Sequence, residues 1–204
     1  MEDIIHSFNQ VVIKGSRPLI ICDIDETLLR WKDSLQDIYN KYSLIYPHLD
    51  HSKLEILAEN YYSIYRNETP PIPTDDAGFK SLLTRLGITG KLMFLTARSP
   101  SHHTRDDLVS IGLQNYMFDI HFTSNKILKG EYIKKYIDIS SYDDVIFIDD
   151  NPEYVNSVLD IFSFKEGKEG VAEQHILQSA KQNGVNEPPP IRCYLFRMKT
   201  VSTY

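Results

Sequence analysis

Asp23 and Asp25 stand two residues apart at the end of the apolar run Leu19-Ile20-Ile21-Cys22, and Thr27 follows two residues later. The run lacks alternation, as does a strand buried on both faces of a parallel sheet, and such sheets bind ligands beyond the carboxyl ends of their strands. Both carboxylates then face the mouth of a site, where their mutual repulsion calls for a hard cation, a lysine or a shared proton. With Mg2+ as the cation, one carboxylate can attack phosphorus while the other handles a proton, the division of labour needed for phosphoryl transfer through an aspartyl phosphate. Asp-x-Asp-x-Thr also occurs in exposed turns and calcium loops, so the pair gains meaning only from further residues.

Those residues lie far along the chain. The apolar run Val145-Ile146-Phe147-Ile148 ends in Asp149-Asp150-Asn151, a second acidic strand end. Two such ends side by side form an uncompensated cluster unless they hold a metal, and oxygen-only ligands select Mg2+ over zinc. One of Asp149 and Asp150 is expected to cap the helix opened by Pro152, but both cannot be caps. The run Leu92-Met93-Phe94-Leu95 finishes in Thr96-Ala97-Arg98, which makes Thr96 a candidate phosphate clamp, or else a turn former. Lys129 opens an amphipathic stretch carrying Tyr132, Ile133, Tyr136 and Ile137, so its ammonium could neutralise both a phosphate and an attacking carboxylate. Lys126, three residues earlier, is its rival because helix starts are uncertain by several residues. Lys134 and Lys135 read as the wet face of that helix.

The elements that must position these side chains alternate. Strands are expected at Leu19–Cys22, Lys91–Leu95, Phe118–Phe122, Asp144–Ile148 and Ile191–Met198, with helices between them, which indicates an α/β fold with a doubly wound, mostly parallel sheet. The stretch from Arg30 to Pro73 is too long for a plain crossover and reads as two helices, Trp31–Tyr46 and Ser52–Asn67. The domain organisation is therefore a core of residues 1–29 and 74–204 interrupted by a small helical insertion of residues 30–73. Thr74-Asp75-Asp76 looks like the start of a helix through Leu86, with Gly87 as its stop. Beyond Phe162, Lys165–Gly170 reads as a polar turn, Glu173–Asn183 as a helix, and Asn186–Pro190 as a stiff linker into a last, edge strand. The insertion holds Trp31 and six of the thirteen tyrosines: Tyr39, Tyr42, Tyr46, Tyr61, Tyr62 and Tyr65. Their helical spacing favours packing between the two helices, and lining of a substrate pocket is the alternative.

At 204 residues, with 42% hydrophobic and 25% charged residues, the chain fits one globular core. No apolar stretch approaches the roughly 20 residues that span a bilayer. The N-terminal residues lack the sections of a secretory signal, and Cys22 and Cys193 fit reduced thiols, so a cytoplasmic location is expected. The net charge of −6 disfavours broad capture of nucleic acid and leaves a phosphorylated small molecule or a phosphopeptide as the expected partner. Oligomeric state is not written in the sequence.

The four segments, in this order, resemble those of the haloacid dehalogenase-like (HAD) superfamily of phosphohydrolases, and the Thr96 and Asp149 segments are similar to its acid phosphatase-type branch. The resemblance implies that Asp23 is the nucleophile and a Mg2+ ligand, and that Asp25 is the general acid/base with its backbone carbonyl on the metal. It also implies that Thr96 holds phosphate, Lys129 stabilises charge, Asp149 or Asp150 completes the metal site, and Thr27 steadies the first loop. By the same resemblance, residues 30–73 form a small helical cap over the site. Asp-x-Asp-Glu-Thr-Leu is shared with phosphoprotein phosphatases acting on RNA polymerase tails, although that branch usually lacks such a cap. A non-catalytic interaction module on the same scaffold is the alternative from outside the enzymes.

Overall fold

The computed structural model describes residues 3–100, 102–162 and 190–198. Six strands form one sheet: β1 (Asp3–Ile5), β2 (Pro18–Cys22), β5 (Lys91–Thr96), β6 (Phe118–Phe122), β7 (Asp144–Asp149) and β8 (Ile191–Phe196). Their spatial order is β1-β8-β7-β2-β5-β6, and every neighbouring pair is parallel. The chain moves outward from β2 through β5 to β6, then returns to β7 on the other side of β2, so the strand order reverses between β2 and β7. In doubly wound sheets the ligand crevice opens at that reversal, beyond the carboxyl ends of the two strands.

The apolar runs that lack alternation are explained by cover on both sides. Ile20, Cys22, Phe94, Ile146 and Ile148 pack into one core with Phe8, Phe79 and Phe196, whereas Leu19, Ile21, Leu95, Val145 and Phe147 pack into a second with Ile133, Val155 and Val158. All five residues of β2 are buried.

The last strand is not at an edge, contrary to expectation. Asp3-Ile4-Ile5 forms β1 along its outer side, with Ile5 opposite Phe196, and three residues are too few to show a strand pattern in the sequence. The helix Glu173–Asn183, the turn Lys165–Gly170 and most of the linker before Pro190 lie outside the described residues.

Local chemistry sets the helix ends. In α3 (Asp76–Leu86), Asp75 accepts a hydrogen bond from the Gly78 amide, and Gly87 ends the helix at φ 66°, where a side chain would be strained. The insertion leaves through β3 (Leu29–Arg30) and returns through β4 (Ile72–Pro73), which pair antiparallel as a two-residue stem. Between them stand α1 (Leu35–Ile45) and α2 (His51–Glu68). The first helix starts four residues later than its expected start at Trp31, because Ser34 and Asp37 close a reciprocal capping box. Tyr42 meets Tyr46 and Tyr61 edge-on at 5.9 and 5.6 Å, so these rings pack the helix pair together. Helix α4 (His102–Ser110), which the sequence reading left out, follows β5. No helix among the described residues is long and apolar enough to cross a membrane.

Helices α5 (Lys129–Tyr136) and α6 (Pro152–Phe162) cover the second core and approach each other most closely at Gly130, whose amide donates to Ser157 Oγ at 3.0 Å. A Cβ at position 130 would land on the Ser157 carbonyl. Gly130→Ala is therefore expected to destabilise the fold by roughly 1–3 kcal/mol through separation of the two helices, as read by urea denaturation. Unchanged stability would show that the helices move apart without strain.

Candidate active site

Asp23 continues the β2–β7 ladder by donating its amide to the Ile148 carbonyl at 2.9 Å, which fixes its carboxylate opposite the end of β7. The Lys129 ammonium sits between the two strand ends, 2.5 Å from Asp23 Oδ1 and 2.7 Å from Asp149 Oδ2. Lys129 has no exposed surface, and Asp23 and Asp149 are buried with it. Of the two candidate lysines, Lys126 is exposed, whereas Lys129 is the first residue of α5 and the one that meets the acids. Its ammonium also lies 4.7 Å from the centre of the Tyr154 ring, which closes the pocket from the α6 side.

Asp23, Asp149 and Asp150 bring carboxylate oxygens within 4.8 Å of one another. Three carboxylates against one ammonium leave a formal charge of −2, and the donors are all oxygens, so the cluster fits a hard divalent cation. Asp150 accepts from Thr27 Oγ1 at 3.0 Å, which ties the first loop to the acid cluster. Neither acid caps α6. Asp149 Oδ1 accepts from the Asn151 amide, and Asn151 Oδ1 in turn accepts from the Glu153 amide, so the capping role expected of an aspartate falls to Asn151.

The Asp25 side chain lies apart from this cluster. Arg98 grips it with two bonds, Nε to Oδ2 and Nη2 to Oδ1, both 2.9 Å, and Arg66 of α2 donates Nη2 to Oδ1 at 2.6 Å. Arg98 is itself held by Asp107 at 2.7 Å and Thr104 at 3.3 Å. The loop that turns Asp25 toward the arginines is tight: Glu26 adopts φ 59°, and the Leu28 and Leu29 amides both donate to the Ile24 carbonyl. Thr74 Oγ1 braces it by donating to the Thr27 carbonyl at 2.5 Å. Thr96 is fully buried at the end of β5, and its Oγ1 accepts from the Arg98 amide at 3.2 Å. Thr96 is thus bonded to the turn that carries Arg98 to Asp25. Arg66 and Arg98 were absent from the expected site residues; Arg98 stood inside the Thr96 segment, whereas nothing distinguishes Arg66 from a solvated helix residue.

The two carboxylates of the first strand end are driven in opposite directions. Burial, reinforced by Asp149 against the opposing pull of Lys129, pushes Asp23 up to about 8. Burial would raise Asp25 as well, but its hydrogen bonds and attraction to Arg98, with Arg66 and Lys129 adding, hold it below the ordinary carboxylate range. Asp150 is pushed up to about 6 by burial and by the charge of Asp149.

A cavity of about 710 Å³ is lined by Arg66 and Arg98, the two arginines that hold Asp25, but not by Asp25, Asp23 or Lys129 themselves. Trp31, Tyr62 and Arg66 wall it from the insertion, and Arg98, His103 and Asp107 wall it from the core. Of the insertion's aromatics, Trp31 and Tyr62 thus line a pocket.

No protein-family model matches the chain, and no curated protein does. Among solved structures, a hydrolase from Streptococcus pneumoniae TIGR4 is similar at 15% identity and a TM-score of 0.46, over 88% of this chain and 92% of that one. A likeness of that degree carries no argument for function, which rests on the geometry.

Two expectations follow from the buried charges. A divalent cation must displace protons from Asp23 and Asp150, whose carboxyls stand near 8 and 6 against an ordinary 3.8. Raised carboxyls stabilise the metal-free fold below pH 3.8, and that contribution is lost as pH rises through about 6 and then about 8. Mg2+ affinity should therefore strengthen between pH 6 and 8, with proton release seen by calorimetry in buffers of different ionisation enthalpy. Affinity independent of pH would contradict the assignment. Lys129→Met should cost about 3–5 kcal/mol in metal-free buffer at pH 8, and less at pH 5, where Asp23 takes up a proton. Denaturation at the two pH values checks this.

Proposed function

We propose that the chain is a Mg2+-dependent phosphohydrolase of the HAD type that cleaves a phosphate monoester through an aspartyl phosphate on Asp23. The observation that carries the reading is Lys129, wholly buried between Asp23 and Asp149 with Asp150 beside them, at the point where the strand order reverses. Asp23, Asp149 and Asp150 would hold Mg2+, which when bound supplies positive charge against the phosphate oxygens and the attacking carboxylate.

Asp23 attacks phosphorus, the bond to the leaving oxygen breaks, and Asp25 supplies the proton that oxygen needs. Water then attacks the aspartyl phosphate while Asp25 accepts its proton, which returns free Asp23 and inorganic phosphate. The ionised form of Asp25 that the two arginines favour is the one required in this second step. For the first step the carboxyl must carry a proton, the form that the two arginines disfavour. Lys129 neutralises charge throughout, because its ammonium is locked between carboxylates. Thr96 shapes the phosphate side of the turn through the Arg98 amide. The cavity that Arg66 and Arg98 line has the volume of a small-molecule site, which supports a small phosphorylated molecule over a peptide as the substrate class.

Hydrolysis of p-nitrophenyl phosphate with Mg2+ tests the reading. Asp23→Asn is expected to lower the rate by roughly a thousandfold or more, and chelation of Mg2+ to abolish it. Equal rates for the parent and Asp23→Asn overturn the proposal and leave the interaction-module alternative.

A further inference from the structure

We propose that Arg66 is the specificity residue of the cavity it lines with Arg98, a docking point for a carboxylate carried by the leaving group of the substrate. The proposal deepens the phosphohydrolase reading and rests on it for the placement of the leaving group.

The argument begins with unused donors. A guanidinium carries five N–H bonds, and among the described residues Arg66 has a single hydrogen-bond partner, Asp25 Oδ1 at 2.6 Å. Arg98 differs: its Nε, Nη1 and Nη2 are all engaged, on Asp25, Thr104 and Asp107. Arg98 therefore works as a brace for Asp25, and Arg66 keeps donors to offer.

Arg66 is also held still. Its guanidinium carbon lies 4.1 Å from the centre of the Trp31 ring and 5.6 Å from that of Tyr62. Trp31 is buried and anchored, with Nε1 donating to the Thr69 carbonyl at 3.0 Å. A stacked, planar fork with open N–H positions on a cavity wall is pre-organised for a carboxylate, since little side-chain freedom is left to lose.

Charge narrows the class. Arg66 and Arg98 are balanced by Asp25 and Asp107, so the group attracts through directed bonds and not through a net positive field. Glu59, Glu68 and Asp106 stand on the same cavity and disfavour polyanions. A single carboxylate meets both conditions, whereas a polyphosphate or a nucleic acid meets neither. Position agrees, because the phosphohydrolase reading puts Asp25 against the departing oxygen, and Arg66 is bonded to Asp25.

Glycerate 3-phosphate and glycerol 3-phosphate differ only in a carboxylate replacing a hydroxymethyl group. With Mg2+, kcat/KM for the former is expected to exceed that for the latter by roughly tenfold or more. Arg66→Gln should bring the two within about twofold, and Arg66→Lys should keep part of the preference. Taking the ratio cancels any common effect of the lost Asp25 contact. Calorimetric binding of both esters to Asp23→Asn protein reads the same discrimination without turnover. Equal binding of the two esters overturns the subsite, as does a preference that survives Arg66→Gln. If an aryl ester is hydrolysed while both esters bind alike, the subsite falls alone. If no ester is hydrolysed but the binding preference stands and depends on Arg66, the phosphohydrolase reading falls and the carboxylate subsite remains.

Discussion

A lysine ammonium with no access to water must be paid for by partners, and the pairing of Lys129 with Asp23 and Asp149 is the constraint around which the core is arranged. Burying one charge of this kind unpaired costs several kcal/mol, a large share of the net stability of most domains. The pairing joins three elements: the end of β2, the end of β7 and the first residue of α5. Lys129 opens α5, and the next residue, Gly130, packs against α6 with no room for a side chain. Three carboxylates still outnumber the one ammonium, so the centre is incomplete as a charge balance and open to a cation of two charges.

The first strand end separates two electrostatic settings within two residues. Asp23 lies in a dry, acid-rich pocket that disfavours its ionisation, and Asp25 lies against two guanidinium groups that favour it. Neighbouring carboxyls pushed apart in this way are how a protein assigns different tasks to one functional group. The backbone achieves the separation through the left-handed conformation of Glu26 and the double acceptance at the Ile24 carbonyl, which turn the second carboxylate away from the first.

Much of this was legible in the chain and some of it could not have been. Buried parallel strands read as continuous apolar runs, so the strands ending in Asp23 and Asp149 were visible together with their acids, and the caps at Asp75 and Gly87 marked α3 by local chemistry alone. The choice between Lys126 and Lys129 depended on the helix start, which propensity does not fix to within three residues, and in the fold Lys129 is the lysine buried against two carboxylates. Asn151 caps α6 in place of an aspartate because Asp149 and Asp150 are turned toward Lys129 and Thr27. Arg66 and Arg98 meet Asp25 across 41 and 73 residues of sequence, and no periodic pattern encodes a contact over such separations. Three-residue β1 exists because β8 presents an unpaired side to it, which is a tertiary cause.

The two-residue stem formed by β3 and β4 has a consequence of another kind. Because Leu29 pairs with Pro73 and Arg30 with Ile72, the main chain departs and rejoins at hydrogen-bonded neighbours, and the loop-closure entropy is met at the stem and not by the helices beyond it. A graft of different length and sequence between positions 30 and 72 would leave strand order, register and the Lys129 centre undisturbed, while exchanging Trp31, Tyr62 and Arg66 and with them the chemical taste of the cavity.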